Sequence, residues 1–423
     1  MFNGKICLAP CLAPESRNSV QSAAGDAPLF AFFSAPSILG VCRNRTFNAV
    51  VAGSIPARLT KSRKLQSPFK DLTGMALRIA QVAPLVETVP PESYGGTERI
   101  VSYLTEELVR LGQDVTLFAS GGSVTAAKLV PITERSLRSD ATVTDPMTRS
   151  LVEIEEVLKR AEDFDVVHFH DGYLHFPLAR RLQTPTVTTM HGRMDLPDLV
   201  PVFQEFSELP LVSISDQQRS PLPFANWIAT VQHGIPEDLY SFQGDPEDYT
   251  LFVGRISPEK RADRAIEIAK RVGMRLKIAA KVDKVDQEYF DSQIKPLLDS
   301  SLIEFIGEVK DDEKNVLLGG ARAFLFPIDW PEPFGLVMIE ALACGTPVIA
   351  FNCGSVPEVL EDGKTGFIVR TVPEAEEALR KIDQISRRVC REEFERRYTS
   401  PRMANDYLHV YERLRQGASL GAK

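Results

Sequence analysis

From residue 77 onward, short apolar runs rich in β-branched residues alternate with longer amphipathic stretches, the pattern of βαβ units feeding a parallel sheet. LRIAQVA (77–83) predicts a first strand, 97–111 a helix, and DVTLFA (Asp114–Ala119) a second strand. DVVHFH (165–170), TVTTM (186–190), LVSIS (211–215) and IATV (228–231) predict further buried strands, each short and bounded by polar or proline-containing turns. These make one doubly wound unit, residues 75–236. After His233-Gly234-Ile235-Pro236 an acidic stretch containing proline and glycine runs to Asp248 and reads as a linker. The rhythm then restarts over 249–400: YTLFVG, a helix over 263–272, RLKIAA, a helix over 287–298, IEFIG, a helix over 312–318, AFLFP, PVIAF and GFIVR. A last helix over 401–415 follows the second unit and is long enough to cross back to the first.

Composition changes this picture only at its edges. With 423 residues, 43% hydrophobic and 25% charged, the chain has material for two α/β domains and no bias toward disorder. A net charge of −8 argues against a nucleic-acid-binding surface, so an anionic ligand must meet a local basic site. Residues 1–74 depart from the rest: nine Lys/Arg against three Asp/Glu, six prolines and no sustained period. We read them as a spurious or disordered N-terminal extension, with translation starting at Met75. No run reaches the roughly 18 apolar residues of a membrane-spanning helix, which leaves peripheral membrane contact open. Cys344, Cys353 and Cys390 show no disulfide or zinc spacing, and the expected compartment is the cytoplasm.

In open parallel sheets ligands bind beyond the carboxyl ends of the strands, so the loops there carry the chemistry. WPEPFGLVMIEAL (330–342) places Glu332 before a helix and Glu340 within it, separated by seven residues. A helix starting at Phe334 or Gly335 offers free first-turn N–H groups to a diphosphate. Glu332 and Glu340 can then accept hydrogen bonds from sugar and ribose hydroxyls. Either glutamate alone reads as a solvated helix position. Directly after a strand, Gly254-Arg255-Ile256-Ser257-Pro258-Glu259-Lys260 supplies a bidentate guanidinium and a compact ammonium, although such a pair by itself is more often a solvated loop. Tyr94-Gly95-Gly96-Thr97-Glu98 lets backbone approach a ligand at another helix start and is not the GxGxxG dinucleotide fingerprint. His168, His170, Asp171 and His175 cluster around one strand end without a complete zinc spacing. His170 sits at the carboxyl end and is the candidate, His168 reads as structural, and His191 is a weaker candidate.

These features in this order resemble the retaining glycosyltransferases of family 4, which have the GT-B fold of two Rossmann-like domains facing across a cleft, and the match runs from about residue 77 to 414. The family's E-x7-E element matches Glu332 and Glu340, its Arg/Lys pair matches Arg255 and Lys260, its glycine loop matches Gly95-Gly96, and VVHFHDG looks like its strand-end histidine, here His170. The resemblance implies that Glu332 contacts the donor sugar, Glu340 the ribose, the amides of Phe334, Gly335 and Leu336 the phosphates, and that Gly307-Glu308-Val309 lies beside the base. It implies transfer of a hexosyl group from a UDP- or GDP-sugar with retention, with no metal or other cofactor, to an acceptor that is a sugar, a lipid carrier or a small metabolite. Two departures stand out: VQHGIPEDLY where Asn-Gly-Ile-Asp is frequent, and GSVPEVLEDG where Gly-Gly-x-Pro-Glu is frequent. Three other functions fit parts of this pattern. A metal-dependent transferase would use Asp163-Phe164-Asp165, which precede a strand rather than follow one. A sugar-nucleotide epimerase shares the fold but needs no acceptor, and a non-catalytic sugar-nucleotide binding subunit would need no turnover.

Overall fold

The computed structural model describes residues 76–92 and 95–421. Residues 1–75, with the expected extension and start, lie outside the described residues, as does Tyr94. The first lobe is a seven-stranded parallel sheet: β1 Arg78–Val82, β2 Asp114–Ala119, β3 Lys128–Pro131, β4 Val166–Phe169, β5 Thr186–Thr189, β6 Leu211–Ser213 and β7 Trp227–Thr230, in the order β3-β2-β1-β4-β5-β6-β7. The second is six-stranded: β8 Thr250–Arg255, β9 Leu276–Lys281, β10 Ile303–Phe305, β11 Ala323–Phe326, β12 Val348–Phe351 and β13 Gly366–Val369, in the order β10-β9-β8-β11-β12-β13. In each sheet the order reverses beside the first strand, which opens a crevice at the carboxyl ends of the strands.

The central strands are apolar almost throughout because both faces of a parallel sheet are covered. Successive residues of β1 show it. Ile79 packs with Val115, Val166 and the helix residues Ile100, Leu104 and Leu108, whereas Ala80 and Val82 pack on the opposite face with Phe118, Val167, Phe169 and Val157.

The final helix, Ser400–Gly421, belongs to the first lobe by its contacts: Met403, Ala404, Tyr407, Val410 and Tyr411 are buried against β1, β2 and β4. The chain therefore passes between lobes twice, and the two passages pair. Ile235 N–H donates to Tyr398 O at 2.9 Å and Ser400 N–H to Ile235 O at 2.9 Å, a parallel bridge at the hinge.

Three differences from the sequence pattern have local causes. β3 is a four-residue edge strand, half-buried and ending in Pro131, too short and too mixed to show a period. Helix Met147–Leu158 lies outside the sequence reading; it buries only Glu153, Ile154 and Val157, while its apolar residues Met147, Leu151 and Val152 are exposed. The helix expected over 287–298 is broken into Gln287–Tyr289, a π-turn Phe290–Ile294 and a 3₁₀ segment Lys295–Asp299, because Pro296 removes an amide donor from the last turn. Among the described residues no helix is long and apolar enough to cross a membrane.

Candidate active site

Between the lobes lies a cavity of about 500 Å³. Among the residues singled out from the sequence, Glu332, Arg255, Lys260, Gly95, Gly96, Phe334, Gly335, Leu336, Glu340 and Val309 line it, and so does the weaker candidate His191. His170 is buried and does not line it.

The second-lobe wall is built around the turn from Glu332 to Gly335. Gly335 has φ +78°, a left-handed conformation that suits glycine, and it caps helix Leu336–Ala343, which begins one residue later than the pattern suggested. Three carbonyls of this turn are pinned from outside. Ser355 N–H donates to Glu332 O at 3.0 Å and Ser355 Oγ to Phe334 O at 2.8 Å, while Ser215 Oγ of the first lobe donates to Pro333 O at 2.7 Å. Gly354, at φ +54°, permits the approach, since a Cβ there would collide with the backbone of Glu332. The departure GSVPEV thus keeps its backbone role through Gly354 and Ser355, and Glu358 accepts from the amides of Asp216 and Gln217 across the lobes at 2.8 and 2.7 Å. With its carbonyls occupied, the turn holds the start of helix Leu336–Ala343, where Met338 N–H donates to Gly335 O at 3.0 Å and the amides of Leu336 and Val337 precede any intrahelical acceptor.

Charges on this wall are paired. Lys260 Nζ bonds Glu332 Oε2, which also accepts from Trp330 Nε1 at 3.1 Å, and the ammonium lies 4.9 Å from the Trp330 ring centre. Its backbone neighbour Arg261 has φ +55° and is held by Asp263 and Asp329, which sets the direction in which Lys260 leaves the chain. Arg255 contacts Glu259 at 2.7 Å and Asp286 at 3.6 Å. Glu340 is bound by Lys314 at 2.9 Å, and Lys314 also reaches Asp311 at 3.1 Å, which in turn meets Arg99 from the first lobe at 2.5 Å. Burial lowers the Lys314 pKa, but Glu340 and Asp311 outweigh it and hold the ammonium above its ordinary value.

The first-lobe wall is different. Glu98, in the first turn of helix Gly96–Arg110, is buried, and burial pushes its carboxyl up to about 7; Oε1 accepts from Glu87 N–H at 3.3 Å. Glu87 is raised in the same direction by burial, against the opposing charge of Arg138. Of the histidines, His168 bonds Tyr411 Oη and Thr189 Oγ1, each at 2.7 Å, and His175 bonds Thr188 Oγ1 at 2.8 Å while stacking on Phe169. His170 bonds Gln81 Oε1 at 2.7 Å and His191 at 2.9 Å. His191 is the ring that reaches the cavity, with His233 beside it.

Sequence reasoning missed Arg99, Asp311, Lys314 and His233. The departure from Asn at His233 was the one visible signal for that residue; the ion chain from Arg99 to Glu340 joins positions more than two hundred residues apart and has no local signature.

Residues 241–397 match the family described as glycosyl transferases group 1, and residues 94–248 match Glycosyltransferase Family 4. The chain is a family 4 glycosyltransferase. It is 26% identical over 378 residues to the phosphatidyl-myo-inositol mannosyltransferase of Mycobacterium leprae, covering 79% of this chain and 96% of that protein. Among solved structures it resembles AviGT4, a glycosyltransferase involved in avilamycin A biosynthesis, with a TM-score of 0.62 and 24% identity over 81% of this chain and 98% of that one. It also resembles Anabaena Alr3699/HepE in complex with UDP and glucose, with a TM-score of 0.60 and 15% identity over 79% and 99%. The two facing sheets of this glycosyltransferase are the GT-B arrangement.

Proposed function

We propose that this glycosyltransferase moves a hexosyl group from a UDP- or GDP-sugar to a hydroxyl acceptor, with retention and without a metal ion. The observation that carries the reading is the wall that gathers Arg255, Lys260, Glu332 and the start of helix Leu336–Ala343 at one end of a single cavity. A departing diphosphate needs positive charge already in place, and two cations plus oriented amides supply it without reorganisation. Glu332, pointed by Trp330 and Lys260, is an acceptor for sugar hydroxyls, and Glu340 is an acceptor for the ribose. The leaving phosphate takes the acceptor proton in a front-face attack, so no side-chain base is needed. Asp165 of the rival metal motif is instead bound by Arg78 at 2.9 Å at the amino end of β4. The unpaired cysteines Cys344, Cys353 and Cys390 fit the cytoplasm.

The test is a thermal-shift panel on the full chain with UDP, GDP, ADP and their common sugar conjugates, with a chelator present. A ligand of the native state raises the transition temperature. Stabilisation by one nucleotide family in chelator is the expected result. Stabilisation that appears only when a divalent metal is restored would overturn the metal-free reading, and none under either condition would overturn the donor site.

A further inference from the structure

The turn from Glu332 to Gly335 lies between two short helix starts, one from each lobe. From the second lobe, Ser355 at the start of helix Val356–Val359 donates through Oγ to Phe334 O at 2.8 Å. From the first, Ser215 caps helix Asp216–Arg219: its Oγ accepts from Gln218 N–H at 3.0 Å and donates to Pro333 O at 2.7 Å. A hydroxyl has one proton, and with the cap bond made to a lone pair that proton is left for Pro333. Ser215 is fully buried, and its neighbours fix it further. Ile214 N–H donates to Gln218 Oε1 at 2.9 Å, and the Glu358 carboxylate takes the amides of Asp216 and Gln217. The start of this first-lobe helix is thereby tied to the second lobe at both Pro333 and Glu358.

These bonds decide where two amides point. A trans peptide unit is planar, with its C=O and N–H directed oppositely. Holding Pro333 O toward Ser215 turns Phe334 N–H the other way, and holding Phe334 O toward Ser355 does the same for Gly335 N–H. Among the described residues neither N–H has an acceptor, although Phe334 is buried and both residues line the cavity. Unpaired backbone donors at a buried position are rare, and a pair of them beside a helix start suits an anion. The Glu332–Pro333 peptide has no N–H to offer. Ser215 and Ser355 between them therefore orient both amides of the turn that precede Leu336, and each lobe supplies one of the two locks.

We propose that Ser215 is a positioning residue for the donor's diphosphate: by holding Pro333 O it aims the Phe334 amide, and the anion site of the second lobe is complete only while the first lobe is docked against it. This rests on the transferase reading above and its assignment of phosphate to this turn. Ser355 stays with the turn in every arrangement of the lobes, because both belong to the second. Ser215 leaves with the first lobe. Opening the cleft then releases one of the two amides and loosens the hold on a diphosphate, and closing it restores the pair.

The test sets a nucleoside diphosphate against its monophosphate, which share base and ribose and differ in the phosphate that the turn would hold. Affinities of the full chain are measured for UDP and UMP and for GDP and GMP, and the pair that the unaltered protein discriminates more strongly is used for the variants. In Ser215→Gly, glycine still serves at a helix start but donates nothing to Pro333. The preference for diphosphate over monophosphate should fall about tenfold while monophosphate affinity stays. Ser215→Thr keeps the hydroxyl and should keep the preference. Thr371→Gly removes a cap of the same kind, Thr371 Oγ1 with Glu374 N–H, from helix Val372–Arg380 and should leave both affinities unchanged, which separates loss of a cap from loss of the bond to Pro333. An unaltered preference in Ser215→Gly would overturn the proposal with the transferase reading intact. Equal loss of both affinities in that variant, or Ser215→Thr as poor as Ser215→Gly, would overturn it as well. Failure of the unaltered protein to prefer either diphosphate over its monophosphate would remove the phosphate assignment itself, and this inference with it.

Discussion

The two walls of the cleft are made reactive by opposite means. On the second-lobe wall the cations nearest the turn have partners of opposite sign: Lys260 with Glu332, Lys314 with Glu340, Arg255 with Glu259. On the first-lobe wall burial does the work, holding His191 and His170 neutral and pushing Glu98 toward its protonated form. On the proposed function, a wall that grips a dianionic diphosphate profits from cations that stay charged, and pairing is what keeps them so inside a cleft. Hydroxyl-bearing groups are better met by neutral donors and acceptors whose orientation is set in advance. The comparison predicts that variants on one wall behave as loss of charge and variants on the other as loss of hydrogen-bond direction.

The largest effect is expected at Glu332. Glu332→Gln keeps the shape but removes the charge that orients Lys260 and that, on the proposed function, accepts sugar hydroxyls, so kcat should fall by about 10² to 10³ with nucleotide binding retained. Steady-state kinetics on the donor that responds in the thermal-shift panel checks this, and a kcat within a fewfold of wild type would remove Glu332 from the chemistry. Next is Lys314→Met. Lys314 and Glu340 are both largely buried, and deleting one partner leaves the other charge uncompensated, a loss of about 3 kcal/mol in unfolding free energy by denaturant titration. A neutral outcome would mean that water already reaches Glu340.

Glu98 tests the other wall through pH. Its folded pKa, about 7, lies above the ordinary 4.5, so between these values the native state holds a proton that the unfolded chain has lost. Stability therefore falls as pH rises through this window. Glu98→Gln removes the cost of ionising a buried carboxyl while keeping the oxygen that accepts from Glu87 N–H. It should gain on the order of 2 kcal/mol at pH above 7 and nothing below pH 4.5. Parallel pH–stability curves for variant and wild type would show that Glu98 is solvated after all.

Legibility in the sequence followed the same division. The second-lobe wall could be read because its parts sit in contiguous motifs at strand ends: Arg255 as the last residue of β8 and Lys260 after it, Glu332 through Glu340 after β11. The first-lobe wall could not be read as well. The period of two correctly places His168 and His170 on one face of β4, where their rings lie 4.0 Å apart, but it cannot say whether the end of β4 or that of β5 stands nearer the cavity. That depends on how Gln81 and Tyr411 draw His170 inward, a contact spanning 330 residues between Gln81 and Tyr411. β3 and the broken segment from Gln287 were lost for simpler reasons, an edge too short to show alternation and a proline inside an apparently helical run.

The smallest effect concerns an ion pair that joins the walls. Arg99 reaches Asp311 from the first-lobe helix Gly96–Arg110, and Asp311 also holds Lys314, so the pair links the first lobe to Glu340 of the second. Arg99 is well buried at 12% exposure, but Asp311 is at 39%, open enough for water and salt to screen the interaction. Arg99→Ala should then cost no more than about 1 kcal/mol, and the difference from wild type should shrink as salt is raised toward 1 M. Because Lys314 keeps both Asp311 and Glu340 as partners, nucleotide affinity should fall by less than about fivefold. A loss several times larger and insensitive to salt would show that the second-lobe charges are organised from the first lobe, and that the two walls are one electrostatic unit rather than two.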